Sequence, residues 1–144
     1  MREIESGIFK ILSIEMKKFN FEQNKVTKIN IDNVKSIQCK NKIGAIAKKQ
    51  DSKEKDQFLI QLDFDIQAHI ANNDVYNIST SILSLIEFEN KNKENELFLN
   101  NAVAIMFSYL RPMIAQITML SGFPPYHLQP VSFEQFKVNI INNN

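Results

Sequence analysis

The stretch from Leu97 to Phe133 constrains this chain more than any other. A long apolar segment runs into Ser121-Gly122-Phe123-Pro124-Pro125, and Leu128-Gln129-Pro130-Val131-Ser132-Phe133 follows. Glycine followed by two prolines stops a helix at Gly122, and the chain beyond is held stiff and extended. Between Ala102 and Gly122 the only charged residue is Arg111. Apolar residues at 102, 105, 106, 109, 110, 113, 117 and 120 share one face by their three-and-four spacing, with Val103, Phe107 and Ile114 outside its centre. A helix apolar on more than one side is not covered by one small sheet, so something else buries the remainder. In a chain this short, a second copy is the most economical source. The helix is expected to start near Leu97 or Asn101, with Asn100 as N-cap, and to kink at Pro112.

Upstream, residues 57–71 alternate with period two. Phe58, Ile60, Leu62, Phe64, Ile66, Ala68 and Ile70 face one way, and Gln61, Asp63, Asp65, Gln67 and His69 the other. One buried and one wet face point to an antiparallel sheet. Asn72-Asn73-Asp74 supplies turn chemistry, and a second strand continues through Tyr76, Ile78, Ile82, Ile86 and Phe88. Its other parity is polar at Asn77, Ser79 and Ser81, then apolar at Leu83 and Leu85. Residues 8–22 read as a strand with a phase change: Leu12, Ile14 and Met16 on one parity, Phe19 and Phe21 on the other. A bulge near Lys17-Lys18 would keep both sets on the core side. Lys28–Asp32 reads as a short strand, Lys48–Asp56 as a solvated loop, and Phe133, Phe136, Val138 and Ile140 as a short terminal helix or strand.

Composition excludes several classes. The 144 residues suit one domain, 1–144, and 44% apolar with 23% charged content is that of an ordinary globular chain. A net charge of +1 gives no reason to expect nucleic acid or an anionic membrane as partner. Nothing approaches the ~18 continuous apolar residues of a membrane span, and no signal peptide is read at Met1–Glu5, so a soluble cytoplasmic protein is expected. One cysteine, Cys39, suits a reducing compartment and reads as a structural thiol. His69 and His127 belong to no cluster with metal-ligand spacing, and the three glycines form no phosphate loop. Asp63 and Asp65 read as the solubility of an outward face. No metal, cofactor or catalytic constellation is expected, and the chain does not read as an enzyme.

The order of these parts resembles SecB, the bacterial export chaperone family. Met106-Phe107-Ser108-Tyr109-Leu110-Arg111, Gly122-Phe123-Pro124-Pro125 and Leu128-Gln129-Pro130-Val131-Ser132-Phe133 are similar to the family's Phe-Pro-Tyr-Ala-Arg helix, its Gly-Phe-Pro and its Leu-x-Pro-Val-Asn-Phe segment. Phe9-Lys10-Ile11 through Phe19-Asn20-Phe21-Glu22 resembles the first strand, and Lys28–Asp32 the start of the second. The resemblance implies an α+β protomer: a four-stranded antiparallel sheet packed with a long helix, a short C-terminal element, and assembly as a dimer of dimers. Met106, Phe107, Tyr109 and Ile78 are the expected oligomer contacts. It further implies an ATP-independent holdase for unfolded clients, in export or for a dedicated client such as an antitoxin. Phe123, Tyr126, Leu128, Val131 and Phe133 are expected to line or border the client surface, because prolines keep them out of a core helix.

Departures from the family pattern bear on partners. Glu22 matches one acidic position through which SecB meets the motor protein SecA, but Lys18 stands where the family has an aspartate. Asn77 and Ser79 replace a leucine and a glutamate. A charge reversal at Lys18 puts SecA docking in doubt. The Asp32–Asp56 stretch reads as a longer loop than usual, and the C-terminal helix as curtailed. The competing reading is a non-chaperone oligomeric adaptor of the same fold that binds one dedicated protein.

Overall fold

The computed structural model describes residues 9–24, 37–50 and 54–141. Strands β1 (Phe9–Gln23), β2 (Gln38–Gln50), β3 (Asp56–Ile70) and β4 (Asn73–Phe88) are followed by a 3-10 turn (Lys93–Phe98), helix α1 (Leu99–Leu120) and a short β5 (Asn139–Ile141). The sheet order is β1-β4-β3-β2-β5. The four long strands pair antiparallel, and β5 joins β2 in parallel. The α+β architecture thus has the four expected strands plus a three-residue fifth.

The alternation of β3 works as expected: Phe58, Ile60, Leu62, Phe64, Ile66 and Ala68 are all buried. In β1 the register slips between Met16 and Lys18, so Ile14, Met16, Phe19 and Phe21 all pack toward the core. A second slip between Ile11 and Ser13 was not expected, and it leaves Leu12 48% exposed. The β3–β4 turn is Ala71-Asn72, one or two residues earlier than expected, and Ala71 takes a left-handed φ of 54°.

Lys28–Asp32 lies within residues 25–36, outside those described. The loop expected over Asp32–Asp56 is corrected: its centre is β2, paired residue for residue with β3. Its inward positions include Cys39, Asn41, Ala45 and Ala47, which carry too little apolar bulk to give a period-two signal. Lys48 to Gln50 belong to that strand, and Asp56 is buried at the start of β3 rather than solvated.

Helix α1 begins at Leu99 with no side-chain cap. Capping occurs a turn upstream, where Asn92 Oδ1 accepts from Glu94 N at 3.0 Å. Asn100 is inside the helix instead, its amide donating to Glu134 O. Gly122, at φ 90°, ends the helix, and Phe123 N donates to Thr118 O at 3.0 Å in the pattern of a Schellman close. By length and apolarity alone Lys93–Leu120 would suffice to cross a bilayer. Its inner face is nonetheless packed on the sheet through Leu99, Val103, Met106, Phe107, Leu110 and Ile114.

Candidate functional site

The helix faces decide where function can sit. Val103, Phe107 and Ile114, expected off-centre, are the middle of the buried stripe, while Ile105, Tyr109, Met113 and Leu120 are exposed. With a near-continuous apolar surface, periodicity could not choose which face turns inward; the sheet did. Two flanks remain, one toward β1 and one toward the chain that follows the helix.

On the β1 side, Met113, Ile117 and Leu120 meet Phe19 around a small hollow of about 220 Å³. Tyr109 is 51% exposed and Leu120 71%. Ile14, Met16 and Phe19 are only half-buried, because the core face of β1 is not roofed as β3 is. β1 is also an end strand of the sheet, so one side of its backbone has no strand neighbour among the described residues.

On the other side lies an open groove of about 540 Å³, bounded by Ser108, Arg111, Pro112, Ala115 and Met119 of the helix and by Pro125, His127 and Leu128. The segment 123–133 forms its second wall because it is tied down. Phe123 packs against Tyr76 and Phe21, with ring centroids 4.9 and 6.4 Å away. Phe133 packs on Phe107 and Phe136. Arg111 Nε donates to Leu128 O at 3.1 Å, and Tyr126 N donates to Thr118 Oγ1 at 2.9 Å. The Tyr126 hydroxyl accepts from Asn41 Nδ2 at 2.9 Å, and burial raises its pKa above the ordinary tyrosine value. Burial likewise raises the Cys39 thiol, which keeps it protonated and inert.

The structure therefore separates the five residues expected at the client surface. Phe123, Leu128 and Phe133 are buried anchors, Tyr126 is half-buried, and Val131 is 46% exposed. Of the expected oligomer contacts, Met106, Phe107 and Ile78 are buried in the protomer's own core, and only Tyr109 is presented outward. Sequence reasoning missed Ala115, Pro112 and Met119 on the groove wall; the helical spacing from Arg111 could have found them.

Glu22 lies on the outer face of the sheet, away from the helix. It borders a shallow depression of about 290 Å³ with Asn20, Lys40, Lys42, Asp65, Asn77 and Ser79. Pairing explains the grouping: one row across the sheet reads Asn20, Ser79, Asp65, Lys42, and the next reads Glu22, Asn77, Gln67, Lys40. Among the described residues no group of three or more His, Cys, Asp or Glu could hold a metal ion.

Comparison with known proteins places these features in context. The family described as preprotein translocase subunit SecB is matched over residues 3–141. No curated protein is matched by sequence. Among solved structures, a SecB-like chaperone of Mycobacterium tuberculosis in complex with a ChAD peptide from an antitoxin is similar at TM-score 0.68. Its identity is 12%, with 86% of this chain and 91% of that one covered. A Streptococcus agalactiae protein of unknown function is similar at TM-score 0.54 and 10% identity, covering 85% and 97%. At these identities the two likenesses concern the fold.

Proposed function

The chain belongs to the SecB family, and from that premise we propose that it is an ATP-independent holdase that keeps extended apolar segments of unfolded proteins in the groove between α1 and the 125–128 segment. The observation that carries this reading is the groove itself. It is open, about 540 Å³, and walled largely by apolar groups whose positions are fixed from behind by buried aromatics. A receptor for segments of no fixed sequence needs apolar area with few directed polar groups. Phe123, Leu128 and Phe133 hold the wall, while Val131 and Tyr126 are not among the residues that line it, Tyr126 reaching instead to Asn41 of β2.

The client class we favour is a dedicated one such as an antitoxin; the peptide carried by the mycobacterial relative supports it. Export clients are the second possibility. We assign assembly, as a dimer of dimers in the cytoplasm, to the other flank: Tyr109, Met113 and Leu120 with the β1 edge. Aggregation of a chemically denatured protein, followed by light scattering, tests the reading. Suppression by the purified chain, lost in Ala115→Arg, supports the groove. No suppression at any ratio would favour an adaptor bound to one partner.

A further inference from the structure

We propose that the outer edge of β2, from Gln38 to Ala45, is a strand-addition site for extended partner segments in which acidic and apolar residues alternate. This deepens the holdase reading by naming a class of segment it would favour, and it rests on that reading.

Among the described residues β2 would be the end strand of the sheet but for β5, which covers Ile46, Ala47 and Lys48 alone. That edge therefore already accepts an added strand, and accepts it over three residue pairs. Toward Gln38 no backbone hydrogen bond among the described residues reaches the same side. The open stretch is roughly 26 Å long at about 3.3 Å per residue, enough for a recognition segment to pair by its backbone.

The side chains of β2 set the chemistry of that segment. The strand carries Lys40, Lys42, Lys48 and Lys49 and no acidic residue. Lys49 turns to the core side and pairs with Asp56 at 3.4 Å. The other three stand on the outer face, and none makes an ion pair among the described residues. Across the register Lys40 faces Gln67, Lys42 faces Asp65 and Lys48 faces Leu59, with Glu22 farther across the depression. The inner side of the same stretch is mainly apolar, with Cys39, Ile43 and Ala45, and its one polar residue, Asn41, is engaged by the Tyr126 hydroxyl. Successive residues of an added strand point alternately to these two sides. One parity meets Lys40 and Lys42, and the other meets mainly apolar surface interrupted by Asn41. A second β2 would set lysine against lysine, and charged edges discourage such self-pairing; the occupant is a segment of opposite charge.

Fluorescence anisotropy with ten-residue labelled peptides tests this on the full chain. One peptide alternates Glu with Val, a second alternates Lys with Val, and a third is the Glu peptide with alternate backbone amides N-methylated. The Glu peptide is expected to bind roughly tenfold more tightly than the Lys peptide at low salt, the value two exposed ion pairs support. The advantage shrinks as salt is added. The double variant Lys40→Glu/Lys42→Glu, at exposed positions with no bonded partner, reverses the preference, and N-methylation removes binding. Equal affinity of the Glu and Lys peptides, or insensitivity to N-methylation, overturns the proposal. A reduced, unfolded apolar protein is titrated in parallel, and the double variant is expected to hold it as the parent does. If that protein is held while the Glu peptide is not, only the strand-addition site fails. If the peptide shows its charge and N-methyl dependence while the unfolded protein is not held, the holdase reading fails and the edge site stands.

Discussion

Asp56 shows how one buried carboxylate organises a junction. Its Oδ2 accepts from Asn92 N at 3.0 Å and from Asn95 Nδ2 at 2.7 Å, while Lys49 lies 3.4 Å from Oδ1. It thereby ties the start of β3 to the 3-10 turn that launches α1. Burial raises its pKa, but the two hydrogen bonds and Lys49 outweigh burial, and the net position is below the usual carboxylate value. A depressed folded pKa contributes stability that is fully present above the unfolded carboxylate pKa, about 3.9, and is lost as pH falls through the folded one. Urea unfolding of Asp56→Ala at neutral pH is expected to show a loss of about 2–3 kcal/mol, from buried donors left unpaired. That difference from the parent should narrow in strong acid; a difference constant down to the acid limit would contradict the assignment. Ala71 offers a second test. Its φ of 54° costs roughly 1–2 kcal/mol for a residue with a Cβ, whereas glycine gives back about 1 kcal/mol or less through its freer unfolded chain. Ala71→Gly is therefore expected to be neutral to slightly stabilising, and Ala71→Val clearly destabilising, by thermal melts.

At the scale of elements, α1 works as a three-faced rod. One face closes the core, one flank meets β1, and the other walls the groove. The flanks should be separable by mutation, because neither supplies core residues. Met113→Asp or Leu120→Asp is expected to reduce the assembled species in sedimentation while the protomer's circular dichroism is retained. Ala115→Arg or Met119→Arg is expected to leave sedimentation unchanged and cut client affinity at least severalfold, since each puts a charge where apolar area was offered. Joint loss of both properties in every variant would mean that the two flanks are one surface. Phe107→Asp is no substitute for these, because a charge at that buried ring opposes folding itself.

For the whole molecule, the bare β1 flank and a β1 edge with no strand neighbour among the described residues predict an oligomer. A protomer alone would leave Tyr109, Met113 and Leu120 exposed beside the half-buried Ile14, Met16 and Phe19, and clustered exposed apolar side chains mark an interaction surface. Sedimentation is expected to give a tetramer, or at least a dimer, with a melting temperature that rises with protein concentration. A concentration-independent monomer would refute this. The outer face is expected to bind the SecA C-terminal peptide more weakly than an ordinary SecB does, because Lys40 and Lys42 share the depression with Glu22 and Lys18 stands farther along the same strand as Glu22, where that partner would need acid. Calorimetry finding tight, salt-sensitive binding would contradict it.

Alternation in β3, the slip at Met16–Lys18 in β1 and the glycine–proline stop after α1 were legible in the residues alone. Each rests on a local contrast, apolar against polar at fixed spacing or a backbone only glycine tolerates, and local contrast survives without neighbours. The tertiary structure decided what lacked contrast. β2 has small or polar inward residues and reads as loop until β3 pairs with it along its length. α1 is apolar nearly all round, so only the sheet beneath it selects Val103, Phe107 and Ile114 as core and leaves Tyr109, Met113 and Leu120 outside. Prolines do stiffen the 123–133 segment, but stiffness does not say which way a ring points. Docking against Tyr76 and Phe107 turned Phe123 and Phe133 inward, and so made a wall of residues that the sequence alone suggested as the binding surface.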